Sequence, residues 1–367
     1  MTIRRLPLAA LATLSSLSLV LTACSSDDED ASSSAGATAS VAGDTGVSVN
    51  QASYPVTFTS PWGDSTLEEA PTRIATIGYK DADILASLGE VPVLMGDSTL
   101  NQEVWTVDAF AGAEPEKTFT YADDGSIDIE QLAAAEPDLI VASQMDLSDN
   151  YDELSKIAPV IAAETEDDIS GNWQQTLTSL GEALGKQADA AQVIEDTTQA
   201  AATVREEHPE FDGKSISMLN YFGLDTIRYL NAAGTDAAKL MESIGFTTID
   251  GSDGFGSDNI SAERLDDTAA DVMVILDNSQ GQIDDLLSNP TFQAIPAVQE
   301  GRVLVIHNKA FDTGESAFTV NDDDEQQKGN LAWALGYPGP LSTQWALETL
   351  APLLKNTVEG TSADDSQ

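Results

Sequence analysis

Cysteine and histidine are almost absent from this chain. Cys24 is the only cysteine in 367 residues, which excludes an internal disulfide framework, Cys-based zinc sites and redox pairs. His208 and His307 are the only histidines, too few for a transition-metal centre built from several imidazoles. Basic residues are also scarce: 16 Lys and Arg stand against 62 Asp and Glu, a formal net charge of −46. Phosphate recognition needs clustered cations, so most nucleic-acid binding is excluded, and charge-driven docking on an anionic membrane is disfavoured. There is no Gly-x-Ser-x-Gly elbow and no P-loop-type glycine loop. Carboxylates are so abundant that no catalytic pair stands out. Fold alone does not exclude an enzyme in an α/β shell, but no catalytic signature supports one, and neither enzymatic activity nor a cofactor is expected.

An apolar content of 41% is enough for real cores, and the length allows two ordinary domains. Arg4 and Arg5 precede a Ser/Thr-interrupted apolar stretch, Leu6 to Val20, short for a membrane span and suited to a leader peptide. It ends in Leu21-Thr22-Ala23-Cys24, which resembles a bacterial lipobox, with cleavage after residue 23 and lipidation (palmitate) of Cys24. Residues 24–50 are Ser, Ala, Gly, Asp and Thr with few large apolar groups. Such a segment cannot offset its ordering entropy and reads as a tether with an end-to-end distance of about 25–30 Å. Residues 359–367 read as a disordered tail.

Between tether and tail the pattern is α/β. Strands are expected at Arg73 to Gly78, Val91 to Gly96, Asp138 to Ala142 and within Ser155 to Ala163, with helices at Asp81 to Leu88 and Ile129 to Ala135. Gly171 to Glu207 carries no strand signal. It reads as a helix, a break at Gly185-Lys186 and a long helix from Gln187. The alternation then restarts, with strands at Ser215, Val272 and Val303 and a helix at Thr235 to Ile244. Ile127 to Leu132 aligns without gaps to Ile260 to Leu265, and in the same register Asp138-Leu-Ile-Val141 matches Asp271-Val-Met-Val274. These patterns predict one lobe over 51–165, a helical linker over 166–212 and a second lobe over 213–358, with loops at the carboxyl ends of the strands lining a cleft between them.

Asp128-Ile-Glu-Gln-Leu followed by Glu136-Pro-Asp-Leu-Ile-Val141 resembles the signature of the iron-siderophore and vitamin B12 substrate-binding proteins of ABC transporters. So do Pro71-Thr-Arg-Ile-Ala75, Leu154-Ser-Lys-Ile-Ala-Pro159, Trp173 with Leu184-Gly185, and Asn289-Pro-Thr-Phe with Ile295-Pro-Ala-Val-Gln-Glu-Gly-Arg-Val303. The resemblance covers about Tyr54 to Leu354. It implies two Rossmann-like lobes joined by a long helix, a helical-backbone periplasmic-binding-protein fold with the ligand between the lobes. It further implies delivery of a ferric siderophore to a membrane permease by a monomer at the outer face of the cytoplasmic membrane. One surface glutamate per lobe would pair with permease arginines, here Glu130 and Glu263. Asp128 and Ser261 read as their N-caps, although a carboxylate in a first helical turn also complements the helix dipole without any partner.

Candidate ligand contacts follow strand ends: Tyr79, Lys80, Ser143 and Gln144 in the first lobe, and Tyr221, Phe222, Arg228, Asn278, His307 and Lys309 in the second. Trp105 is a further candidate. Tyr79 and Tyr221 fit half-buried lobe positions equally well, Trp105 fits a core, and Arg228 has Asp225 and Asp236 as alternative partners. The plausible cleft cations, Lys80, Arg228 and Lys309, are few for a triply anionic catecholate, which favours a neutral or cationic ferric hydroxamate or a mixed chelate. Haem or cobalamin in the same fold, and a sensor uncoupled from transport, remain alternatives.

Overall fold

The computed structural model describes residues 53–96, 103–122, 127–165, 172–255, 259–309, 316–321, 323 and 325–360. The expected leader, Cys24, the tether and residues 361–367 lie outside them. The first lobe opens with an antiparallel hairpin, β1 (Val56–Ser60) and β2 (Gly63–Leu67). Its sheet holds β3 (Ile74–Thr76), β4 (Leu94–Gly96), β5 (Lys117–Phe119), β6 (Leu139–Ala142) and β7 (Val160–Ala162). All its pairs are parallel, in the order β5-β4-β3-β6-β7. The helices are α1 (Asp81–Ser87), α2 (Val104–Ala109), α3 (Ile129–Ala133) and α4 (Tyr151–Ile157). Every residue of β3 and β6 is buried, as expected of a parallel strand covered on both faces. The strand order reverses between β3 and β6, so the loops after those strands flank a switch point.

The second lobe carries β8 (Ile216–Gly223), β9 (Thr226–Tyr229), β10 (Val272–Asp277), β11 (Val303–Lys309), β12 (Ala317–Val320) and β13 (Gln327–Lys328). Their order is β13-β12-β11-β10-β8-β9. Only β8, β10 and β11 pair in parallel; β9, β12 and β13 are antiparallel additions at the two edges. Sequence patterning does not reveal these short edge strands. Around the sheet lie α7 (Asp236–Ser243), α8 (Ile283–Leu287), α9 (Pro290–Gln293), α10 (Pro296–Gln299), α11 (Leu331–Gly336) and α12 (Pro340–Glu359).

Two helices join the lobes, α5 (Trp173–Leu184) and α6 (Gln187–Glu207). The break between them falls at Gly185, whose φ of +65° is open to glycine at little cost. Lys186 anchors the joint to the first lobe through the Leu88 carbonyl (2.7 Å) and Glu90 (2.5 Å). At 1.5 Å per residue α6 is about 30 Å long, enough to cross from one lobe to the other.

The internal echo has a structural meaning. Asp138, just ahead of β6, accepts hydrogen bonds from the Thr72 amide and hydroxyl (both 2.8 Å) and the Arg73 amide (2.7 Å). Asp271, just ahead of β10, accepts from the Ser215 amide (2.8 Å) and hydroxyl (2.9 Å). In each lobe an aspartate pins the start of the neighbouring strand. The matched segments that follow Asp128 and Ser261 differ in detail, the first being α-helical and Ala262–Thr268 a 3-10 turn.

The lobes also meet through α12. Its first N–H groups, at Leu341 and Ser342, donate to the two oxygens of buried Asp83 in α1 (both 3.0 Å). A Cβ on Gly339 would fall 2.7 Å from the Asp83 carboxyl carbon, so only glycine allows this approach.

Asp138→Ala is expected to lower unfolding stability by about 1–3 kcal/mol in a urea titration, because it leaves strand-end amides unpaired. Exposed Glu130→Ala should change it by less than about 0.5 kcal/mol. The Ser215 amide holds Asp271 below the usual aspartate range against the effect of burial. Its contribution is therefore present above about pH 4 and is lost as the pH falls through the lowered value. Asp271→Asn should flatten the acid limb of the stability profile.

Candidate ligand-binding cleft

Four aromatic rings gather where the first lobe faces α11. Tyr79 follows β3 and Tyr121 follows β5, their centroids 5.1 Å apart. Trp333 and Tyr337 come from α11 and its C-cap, with centroids 4.4 Å apart. Tyr79 meets Trp333 edge-on at 5.8 Å (88°) and Tyr337 at 6.2 Å. The Tyr121 hydroxyl donates to the Ile77 carbonyl (3.1 Å). Burial, then the neighbouring Tyr337, raises the Tyr79 phenol, so it is neutral at physiological pH. Tyr337 keeps 40% of its surface exposed, giving the group a free face. Sequence reading found only Tyr79. The i, i+4 spacing of Trp333 and Tyr337 is the signal that puts both on one helical face.

Behind this wall lie buried polar groups. Asp81 accepts from the Gly78 amide (2.7 Å), the Ser143 amide (3.3 Å) and the Ser143 hydroxyl. Burial raises its pKa and these bonds oppose the shift. Ser143 is thus engaged in holding the β3 and β6 loops together. Gln144 is buried, and neither amide atom has a partner among the described residues. Lys80 is 1% exposed, a correction to its expected place on the cleft surface. Its Nζ lies 5.3 Å from the Trp333 ring centroid and 5.7 Å from that of Trp105. Trp105 is also buried, its ring tilted at 41° against Trp345 of α12 with centroids 4.7 Å apart. It packs with the core of the second lobe because α2 lies against α12.

At the carboxyl end of the second sheet, Asn278 Nδ2 donates to Asn220 Oδ1 (2.5 Å) and Asn308 Nδ2 donates to Asn278 Oδ1 (2.9 Å). This is a row of carboxamides across β8, β10 and β11. Beside it His307 Nδ1 pairs with Asp277 (2.8 Å), which also accepts from the amide and hydroxyl of Ser279. Burial works to raise Asp277, but the bonds from His307 and Ser279 outweigh it and hold the carboxyl below its usual range. Tyr221 is fully buried and its hydroxyl donates to the Gln282 carbonyl (3.0 Å). Its alternation with Asn220 in β8 turns it into the core, which corrects the expectation of a cleft contact. Phe222 is 43% exposed, and the Arg228 guanidinium lies over its ring at 5.8 Å. Neither Asp225 nor Asp236 pairs with Arg228; Asp236 takes Lys239 instead (3.0 Å). Lys309 closes β11, and its side chain falls outside the described residues.

Glu130 and Glu263 are both exposed and occupy second helical positions. Asp128 accepts from the Glu130 amide (2.9 Å) and Ser261 from the Glu263 amide (3.4 Å). A separate groove of about 1380 Å³ runs beside α6, lined by Thr197, Ala201, Leu240, Tyr337 and Thr343. Except for Tyr337, its lining shares no residue with the aromatic wall or the carboxamide row. Among the described residues no set of three or more His, Cys, Asp or Glu is placed to hold a metal, and no helix is long and apolar enough to cross a membrane.

No curated protein matches the chain. Solved structures do. A periplasmic solute-binding protein of Mycobacterium smegmatis is 25% identical, with a TM-score of 0.65, over 83% of this chain and 99% of its own. PiaA of Streptococcus pneumoniae, in complex with ferrichrome, is 22% identical at a TM-score of 0.65, covering 84% and 100%. SirA of Staphylococcus aureus, complexed with staphyloferrin B, is 20% identical at 0.62, covering 82% and 98%. The periplasmic binding protein family model matches residues 74–310, and with two α/β lobes on a helical link the chain belongs to that family.

Proposed function

We propose that this protein is an extracytoplasmic, lipid-anchored solute-binding protein that captures a neutral or cationic ferric siderophore, of hydroxamate or mixed type, and hands it to an ABC importer. The observation that carries this reading is the character of the cleft lining. An aromatic wall of Tyr79, Tyr121, Trp333 and Tyr337 and a carboxamide row of Asn220, Asn278 and Asn308 offer ring faces and neutral hydrogen-bonding groups. A bulky chelate with carbonyl acceptors suits such a lining. Lys80 is buried away, so among the described candidates Arg228 is the remaining cleft cation, and a trianionic catecholate has little to neutralise it. PiaA with ferrichrome and SirA with staphyloferrin B support a chelate cargo in this fold without naming the one used here. Glu130 and Glu263, one exposed carboxylate per lobe, are the proposed contacts to permease arginines, where rim charges set encounter and orientation.

In a tryptophan-fluorescence and calorimetric titration, ferric ferrioxamine should bind saturably below about 1 μM, and a ferric catecholate, haem and cobalamin should not. Tight binding of the catecholate alone would overturn the charge argument. Haem or cobalamin binding alone would change the cargo class. Trp333→Ala and Tyr79→Ala should each weaken binding by about 10–100-fold, as removing a large aromatic contact does.

The double variant Glu130→Ala/Glu263→Ala should bind the chelate as wild type does but abolish cellular uptake. Normal uptake by this variant would point to a sensor or to another docking surface.

A further inference from the structure

Lys80 is unusual in its surroundings. It is 1% exposed, its Nζ has no hydrogen-bond partner, and it makes no ion pair within 4 Å among the described residues. A buried ammonium in that state is costly, so something other than a direct pair must hold it. Two indole rings lie within cation–π range, Trp333 at 5.3 Å and Trp105 at 5.7 Å. Two buried carboxylates act on it from further off, Asp83 and Glu103. Both are tied across the lobe boundary, Asp83 to the first N–H groups of α12 and Glu103 to the Ser316 hydroxyl ahead of β12 (2.7 Å). The second Glu103 oxygen, Oε2, has no partner among the described residues. Among the described residues no other charge acts on the ammonium from the packed elements. Asp81 is committed to Gly78 and Ser143, and Asp108 of α2 is exposed. α11, β12 and the first two turns of α12 carry no ionisable acid or base.

We propose that Lys80 is a positioning residue for the cleft. Its ammonium, held beneath Trp333 by the opposed charges of Glu103 and Asp83, fixes the orientation of that ring and so of the Tyr79–Tyr337 face that meets the ligand. This rests on the reading of the aromatic wall as the ligand contact. Burial pushes Lys80 down to about 8 while Asp83 and Glu103 resist the shift. Burial pushes Glu103 up to about 7, opposed by Ser316 and Lys80. At neutral pH the ammonium is charged and the ring contact is intact. As the pH rises through about 8 the charge is lost, and with it the attraction to both indoles. Removing the Glu103 charge takes away support for the cation and lowers that midpoint.

The test uses the full unliganded chain between pH 6.5 and 9.5, following the indole N–H resonance of Trp333, assigned with Trp333→Phe. Besides a step near pH 7 from Glu103, a Lys80 transition near pH 8 is expected. It should vanish in Lys80→Met and move to lower pH in Glu103→Gln. Ferric ferrioxamine affinity of the wild type should fall by about tenfold across the same transition, and Lys80→Met should bind weakly without that pH dependence. A transition that survives in Lys80→Met and also in Lys80→Met/Glu103→Gln, or a Lys80 midpoint that Glu103→Gln leaves in place or raises, overturns the proposal. If Lys80→Met does not fold, the direction of the Glu103→Gln shift decides. A wild type that binds no chelate yet shows the Lys80-dependent transition upholds the hold on Trp333 and overturns only the cargo reading.

Discussion

Two N–H groups at the start of α12 point at one buried carboxylate, Asp83, and the placement of the lobes depends on that contact. Taking a carboxylate out of water is expensive, and burial raises its pKa here. The opposing influences are the nearby Lys80 charge, the Ser342 and Leu341 donors and the positive end of a twenty-residue helix. With Asp83 engaged, α12 packs on α1, α2 and α6 together. The lobes are therefore joined by more than the α5–α6 link. A cleft floor built this way is pre-organised, which reduces the ordering cost of binding.

That junction also explains why the aromatic wall draws on both ends of the chain. Tyr79 and Tyr121 stand on loops after parallel strands of the first lobe, whereas Trp333 and Tyr337 come from the helix just ahead of α12. Seating α12 on Asp83 brings α11 against those loops. The acidic excess of the chain and the neutral lining of its cleft are then compatible. Net charge is a property of the outer surface, while the lining is decided by which few side chains the strand ends and α11 present.

Much of the architecture was legible before the fold was known. The α5–α6 break at Gly185, the buried β6 and β10 runs and the paired N-caps at Asp128 and Ser261 are short-range features. Apolar run length, a left-handed glycine and a capping side chain each act within a few residues. The echo of Asp138 in Asp271 was visible as a repeat, but its role in pinning β3 and β8 was not. The edge strands β9, β12 and β13 left little trace, because two to four residues carry too weak a pattern and their pairing comes from a neighbouring strand.

The site divides along the same line. Sequence alone determined that polar and aromatic residues follow the strands, that cations are few, and that each lobe presents an exposed glutamate in a first helical turn. Tertiary structure decided that Tyr221 and Trp105 belong to cores, that Lys80 lies under the wall, and that Trp333 and Tyr337 complete it. The physical reason is distance along the chain. Strand alternation and helix capping act over a handful of positions, whereas the contacts of Asp83 with Leu341 and Ser342, of Glu103 with Ser316, and of Lys80 with Trp333 join residues more than 200 positions apart. Only the packed chain brings such pairs together.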